Sequence, residues 1–519
     1  MPHCSERAVA DIILTTFNAR YIHAAFGLRY LMANLGDLKE RAEIQEYIIK
    51  QRPIDVAEAL LASSPKIIGL GVYIWNVPQC TELVAILKRL APEVHVVIGG
   101  PEVSHEIDGQ PICQMADVVI TGEADLAFAQ LCRDLLGGQT PDQKVIRAPL
   151  PDINALKMPY DLYTEEDIAH RVVYVEASRG CPFRCEFCLS SLPMPVRKFP
   201  LEPFLAAMDR MIERGLRHFK FVDRTFNLDL KVSAAILEFF LERYQPGMFF
   251  HFEMIPDRLP DGLRDIIARF EPGCLQFEVG IQTFDAETSK RISRRQKVPV
   301  LEDNLTFLRE ETGVHVHADL IAGLPGESLE SFARGFDRLV ALGPQEIQLG
   351  LLKRLKGTPI IRHTEPHGMV YAPAPPFEVL KTDQISFAAM QEFKRFSLLW
   401  DRLVNSGRFV RTAPLLWEQE ASAFAGFMDW SRWFVGIEGR AHSVAHLRLT
   451  KRLFEYLTEQ RGMDPRQVAS LLIEDYRQGG RQDVPGFLRP HLPQQERRAS
   501  GKRSGTLPSR QQRHQKQSS

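Results

Sequence analysis

Ser178-Arg179-Gly180-Cys181-Pro182-Phe183-Arg184-Cys185-Glu186-Phe187-Cys188-Leu189-Ser190-Ser191 places three cysteines within eight residues, in a CxxxCxxC spacing. Pro182 keeps the run from continuing as a plain helix, so the three thiols are presented from a loop. Three thiolates are too few for a closed structural zinc site, which wants four ligands and typically pairs of CxxC, and no partner cluster follows. A cubane iron–sulfur cluster held by three cysteines leaves one iron with open positions, and soft thiolates favour such a cluster. The remaining cysteines, Cys4, Cys80, Cys113, Cys132 and Cys274, are scattered singly and read as small buried residues. Eight cysteines in a chain this long do not make a disulfide scaffold.

Working outward, the loop directly follows RVVYVEAS, and beyond it come HFKFVD, FFHFEMI, CLQFEVGI, VHVHADLIAG and EIQLGLL. These β-branched and aromatic runs alternate with helical patterns such as PFLAAMDRMIERG and SFARGFDRLVALG, which predicts a partial (β/α)6 barrel over 171–370. The cysteine loop then lies at the C-terminal face, where barrel loops perform chemistry. Upstream, DIILTTF, AEIQEYII, KIIGLGVY, VHVVIGG and DVVITGE predict a Rossmann-like, five-stranded parallel sheet within 1–145, joined by a Pro-punctuated linker, 146–170. Ligands of such open sheets bind outside the carboxyl ends of the strands. Beyond the barrel, 371–490 reads as mostly helical, with Trp400, Trp417, Trp430 and Trp433 as core or as the wall of a substrate cavity. The 491–519 stretch is basic, lacks apolar periodicity and is expected to be disordered. The fold class is α/β.

Sixty-four Lys+Arg against 65 Asp+Glu leave a formal charge of −1 over 519 residues, so no global field favours nucleic acid or an anionic membrane. Hydrophobic residues at 45% and charged residues at 25% exclude a mostly disordered or fibrous chain. Met1 to Phe17 lacks the apolar core of a signal peptide, and no apolar stretch is long enough to span a bilayer. The expectation is a cytoplasmic protein without a membrane partner.

With the cysteines, the six βα units and the preceding sheet placed together, residues 10 to 370 resemble a radical S-adenosylmethionine enzyme with an N-terminal cobalamin-binding domain. The chain is similar to the subgroup that continues into a helical C-terminal domain of unknown function, DUF4080-like. The motif Cys181 to Cys188 matches the family's CxxxCxΦC, with Phe187 as the aromatic. The resemblance implies a [4Fe-4S] cluster on Cys181, Cys185 and Cys188, with no separate catalytic acid or base. It also implies contacts to S-adenosylmethionine from Phe187, from Asp223 and Asn227 in FVDRTFN, from Glu278 and Gln282 in FEVGIQTFD, and from Ile321 to Gly323 in DLIAGLPGE. The family's GGE form of the second of these motifs is absent. Asp223 and Asn227 would otherwise cap the following helix.

For cobalamin the resemblance rests on VYIWN, GGPEVS and TGE, and it implies contacts from Asn18, Tyr73, Trp75, Asn76, Gly99, Gly100, Pro101, Glu102, Gly122 and Glu123. The DxHxxG motif that places a histidine beneath cobalt in other cobalamin domains is absent, and His105 in SHEIDG does not reproduce it. The implied activity is methyl transfer to an unactivated carbon through a 5′-deoxyadenosyl radical. The substrate would be a small molecule or peptide, and the electron donor a protein such as flavodoxin or ferredoxin. A radical rearrangement or cyclisation without methyl donation, and a non-catalytic iron–sulfur sensor or electron carrier, remain as alternatives. A carrier would ordinarily complete its cluster with a fourth cysteine, and none stands nearby.

Overall fold

The computed structural model describes residues 10–192, 195–478, 481, 483–494 and 510–515, so Cys4 and most of the 491–519 stretch lie outside the described residues. Strands β1 Ile12–Asn18, β2 Ala42–Ile48, β3 Ile67–Gly71, β4 His95–Gly99, β5 Val118–Thr121 and β6 Val145–Arg147 form a parallel sheet in the order β2-β1-β3-β4-β5-β6. Five strands were expected from the sequence. The sixth is a three-residue edge strand at the start of the expected linker, too short for alternation to announce it.

Side chains of β1 alternate between two cores, because strand residues point to opposite faces in turn. Ile12 and Leu14 share a cluster with Leu28, Phe128 and Leu131, whereas Ile13 and Phe17 share one with Val56, Leu60, Leu83 and Val84. Helices therefore cover both faces of the sheet. After β2 the chain crosses back over β1 to lay down β3, and this reversal opens a crevice at the carboxyl ends of β1 and β3.

The second sheet begins with β7 Val173–Val175. Two short strands follow, β8 Ser178–Arg179 and β9 Arg197–Lys198, which pair antiparallel at the base of the cysteine excursion. Strands β10 His218–Phe221, β11 Phe249–Met254, β12 Leu275–Gln282, β13 His315–Ala322 and β14 Glu346–Leu351 then add in sequence, giving β14-β13-β12-β11-β10-β7 without any reversal. Here alternation separates chemistry from packing. Phe219, Phe221, Phe250, Phe252 and Phe277 face the surrounding helices, each burial contributing about 2 kcal/mol. Lys220, His251, Glu278 and His317 instead line a cavity bounded by β7 on one side and β14 on the other, so the sheet curls into a partial barrel with a polar interior.

Past β14 come a short hairpin, β15 Val370–Tyr371 with β16 Val379–Lys381, and helices Phe387–Leu403, Ala423–Glu438, His446–Glu455 and Pro465–Gln478. The hairpin was not foreseen, its strands being too short to show a period. The helices pack on the barrel flank, with the rings of Phe336 and Trp400 4.7 Å apart. Trp400 and Trp430 are fully buried, and none of the four tryptophans lines either cavity described below.

One segment departs from the expected disorder. Helix Arg510–Gln515 docks beside the starts of the barrel strands, where Arg510 Nη2 lies 2.8 Å from Glu346 Oε2 and 2.7 Å from Asp401 Oδ1. Composition alone argued for a solvated basic segment, but buried Glu346 gives it a counter-charge. Among the described residues, no helix is long and apolar enough to cross a membrane.

Candidate active site

Cys181, Cys185 and Cys188 line one cavity of about 270 Å³ at the carboxyl ends of the barrel strands. All three are free thiols. Burial pushes Cys181 and Cys185 up, and at Cys185 the guanidinium of Arg294, whose Nη1 lies 3.5 Å from Sγ, opposes that rise. Three soft thiol donors sharing one cavity with charged and polar groups suit an iron–sulfur cluster that keeps one iron open to a ligand, since a closed structural zinc site takes four protein ligands.

The opposite walls are charged. Arg224, Glu253, Glu278, Gln282, Arg294 and Asp319 line the cavity with Phe187. Arg224 Nη1 donates to Glu253 Oε1 at 2.9 Å. Burial alone would push Glu278 up, but His251, 2.9 Å away, with Lys220 and His317, outweighs burial and holds its carboxyl down to about 2. Asp319 shows the reverse, because burial, reinforced by Glu278 and Glu253, pushes its carboxyl up to about 8. Its Oδ1 is buried without a hydrogen-bond partner, with His317 Nε2 3.5 Å away.

The residues expected at S-adenosylmethionine divide into two sets. Phe187, Glu278 and Gln282 line the thiol cavity, and Gln282 holds a positive φ of 73° at the bulge ending β12. Asp223 and Asn227 do not line it. Asp223 accepts from the Ala177 amide at 3.0 Å and from Ser178 Oγ at 2.6 Å, tying β10 to the ribbon below the cysteines. Asn227 is fully buried, donating to Ile255 O at 3.0 Å and to Arg258 O, and accepting from the Ile255 amide at 2.7 Å. Neither caps the next helix, because Asp229 does so. Ile321 packs in the same apolar cluster as Phe187, and Gly323 has no room for a Cβ, which would meet Val379 at 2.6 Å.

A second cavity, again about 270 Å³ but mostly apolar, opens at the switch point of the first sheet. Gly69 and Gly71 from β3, Gly99 at the end of β4, Gly100 after it, Tyr73, Phe26 and Phe128 line it, with Glu176 and Arg179 from the barrel side. A Cβ at Gly69 would come within 2.8 Å of Phe128, and one at Gly100, where φ is +110°, within 2.5 Å of the Val72 carbonyl. Glycine at both positions is thus required by close packing, against the Phe128 ring and against the Val72 backbone, and the cavity beside them is mostly apolar.

Of the residues expected at cobalamin, Tyr73, Gly99 and Gly100 line this slot. Trp75 stacks on Tyr73 at 4.5 Å with an exposed face. Asn76 is fully buried and clamps the loop, donating to Thr16, Phe17 O and Gly71 O and accepting from the Tyr73 amide. Asn18 donates to His23 O and Glu46, each at 2.9 Å. Pro101 opens a 3₁₀ turn, Gly122 has a positive φ, and Glu102 and Glu123 are held in ion pairs with Lys356 and with Arg179 and Arg197. Among the described residues no histidine lines the slot, and His105 lies against Gly357.

Charged lining residues escaped the sequence reading, among them Arg224, Glu253, Arg294 and Asp319. Asp319 had a usable signal, since it shares a strand face with His317 and Ile321.

Three parts of the chain match known families. Residues 12–132 match the B12 binding domain, 175–339 the radical SAM superfamily and 365–515 a protein family of unknown function, DUF4080. An uncharacterized methyltransferase of Pyrococcus horikoshii is 26% identical over 306 residues, covering 53% of this chain and 64% of that protein. The cobalamin-dependent radical SAM methyltransferase TokK of Streptomyces tokunonensis is 24% identical over 354 residues, covering 60% of this chain and 50% of that one. The chain thus spans less than two thirds of these curated relatives. The radical S-adenosylmethionine methyltransferase TsrM of Kitasatospora setae, solved with cobalamin and a [4Fe-4S] cluster bound, shares the fold. Its TM-score is 0.58 at 16% identity, over 73% of this chain and 82% of that one.

Proposed function

We propose that this radical S-adenosylmethionine enzyme, which carries in order a B12 binding domain, a radical SAM domain and a DUF4080 region, is a cobalamin-dependent methyltransferase acting on an unactivated carbon of a small molecule or peptide. Its cofactors are a [4Fe-4S] cluster, S-adenosylmethionine and cobalamin. One observation carries the reading. A single segment supplies walls to both cavities, with Glu176 and Arg179 in the apolar slot and Cys181, Cys185 and Cys188 in the charged one.

When bound, the cluster supplies the electron that cleaves S-adenosylmethionine homolytically, and cobalamin supplies the carrier for the methyl group. The chain's own groups do the rest. Cys181, Cys185 and Cys188 would hold the cluster with one iron left open to a ligand. Arg224 and Arg294 offer cations to an amino-acid carboxylate, and Glu253 and Glu278 offer acceptors to an ammonium or sulfonium. Gln282 and the protonated Asp319 carboxyl can donate to hydroxyls or ring nitrogens, because a neutral acid keeps its proton at pH 7. The mostly apolar cavity lined by Phe26, Tyr73, Gly99 and Gly100 would take an apolar part of cobalamin. The electron would come from a one-electron donor such as flavodoxin or ferredoxin.

The test is stoichiometric. Reconstituted protein with cobalamin, reductant and methyl-labelled S-adenosylmethionine should form both S-adenosylhomocysteine and 5′-deoxyadenosine, with label recovered on cobalamin. Formation of 5′-deoxyadenosine alone, in protein shown to hold cobalamin, would replace methyl transfer with a radical rearrangement.

A further inference from the structure

The cysteine excursion leaves the barrel at β8 and returns at β9, and the two strands pair with Arg179 directly opposite Arg197. Both arginines reach the same carboxylate on the first half of the molecule. Arg179 Nη1 lies 2.9 Å from Glu123 Oε2, and Arg197 pairs with Glu123 Oε1. Arg179 also grips Asp125 through two hydrogen bonds, at 2.9 and 3.2 Å, and Glu176 through Nε at 2.8 Å. Its guanidinium lies 4.4 Å over the ring of Tyr30, another residue of the apolar slot. All five charged side chains are at most 15% exposed, which protects the pairs from screening.

Arg179 stands two residues before Cys181, and Asp125 lines the apolar slot. The forks of two facing arginines on one carboxylate fix direction as well as distance. We propose that Glu123, Arg179 and Arg197 form a positioning latch that sets the register between the two cavities, so that a group bound in one meets a group bound in the other. This rests on the methyltransfer reading above. The latch touches no reacting atom through Arg197, which lines neither cavity and makes one further bond, to Pro151 O at 2.9 Å.

The experiment compares two reactions in one preparation of full-length holoprotein. Reductive formation of 5′-deoxyadenosine needs only the thiol cavity, whereas recovery of the sulfonium methyl label on cobalamin needs both cavities in register. In Arg197→Ala we expect the first within about twofold of wild type and the second down at least about tenfold, since a misplacement of about 1 Å costs up to a hundredfold. Arg197→Lys, which restores one charge, should recover much of the loss. Two readouts do not depend on turnover. The pulsed EPR distance distribution between reduced cluster and cob(II)alamin should broaden in Arg197→Ala, and in the apo chain the amides of residues 122–126 and 178–179 should exchange faster together.

Equal labelling and an unchanged distance distribution in Arg197→Ala would overturn the latch. So would an equal loss of both reactions, which would mark a plain structural role. If the wild type holds both cofactors but never labels cobalamin, the methyltransfer reading fails instead, and the distance and exchange measurements still decide the latch.

Discussion

Both sheets are parallel, six-stranded and wrapped by helices, yet they expose opposite chemistry. The first reverses its strand order between β1 and β3 and opens an apolar, glycine-walled slot at that break. The second never reverses, so it has no switch point, and it curls until side chains from β10 to β13 face one another. A flat apolar ligand needs backbone to stand aside, whereas a zwitterionic cation needs convergent charges. Topology decides which a parallel sheet can offer: a reversal exposes backbone at strand ends, and a curl without reversal concentrates side chains.

The sharpest way to break this comparison is to empty one half while leaving the other. Replacing Cys181, Cys185 or Cys188 by Ala should abolish the four-iron cluster and its S-adenosylmethionine-dependent EPR change, while cobalamin still binds at wild-type stoichiometry. Retained cluster signals in all three variants would remove the charged cavity from the chemistry. Gly100→Ala should act on the other side. Its φ of +110° and a Cβ 2.5 Å from the Val72 carbonyl imply strain of about 1–3 kcal/mol, so cobalamin stoichiometry should fall while iron content holds. Normal cobalamin loading in that variant would show that the slot tolerates a wider turn.

An acid of the second half tests the comparison through stability instead of cofactor loading. Burial pushes Glu327 up to about 7, against the hydrogen bond it accepts from Thr283 Oγ1 at 2.6 Å. Because its folded pKa is raised, the native chain keeps a proton that the unfolded chain loses above about pH 4.5. Stability therefore falls as pH rises from there to about 7, by up to about 3 kcal/mol, and stays level beyond. Glu327→Gln should flatten that slope, seen as a smaller drop in the apo chain's thermal midpoint between pH 5 and pH 8. An unchanged slope would mean that Glu327 ionises normally.

Most of the architecture was legible in the sequence because period-two runs of β-branched and aromatic residues mark every long strand. β6, β8 and β9 were not, since two or three residues carry no period. The cysteine triplet announced itself by spacing. The surrounding site was read less well, for a physical reason that Asn76 and Asn227 share. An asparagine at a strand end can serve a ligand or satisfy the loop's own backbone with the same amide, and residue type does not distinguish the two. Here both amides are spent on backbone groups. Arg294 gave no signal at all, because it comes from the loop after β12 and reaches Cys185 across 109 positions of sequence.

Glu186, buried between Cys185 and Cys188, accepts from Ser293 Oγ at 2.6 Å, lies 2.8 Å from His363 Nε2 and pairs with Arg362. The cysteine excursion is thus gripped from the first sheet at its base and from the segment after β14 at its tip. Dissecting the chain into separately expressed modules would cut those grips. A barrel fragment ending before residue 362 would leave Glu186 a buried carboxylate stripped of its cation, a cost of several kcal/mol placed directly on the metal-binding loop. Arg362 and His363 fall between the radical SAM match and the DUF4080 match, so neither family boundary marks where the supports of the cysteine loop end.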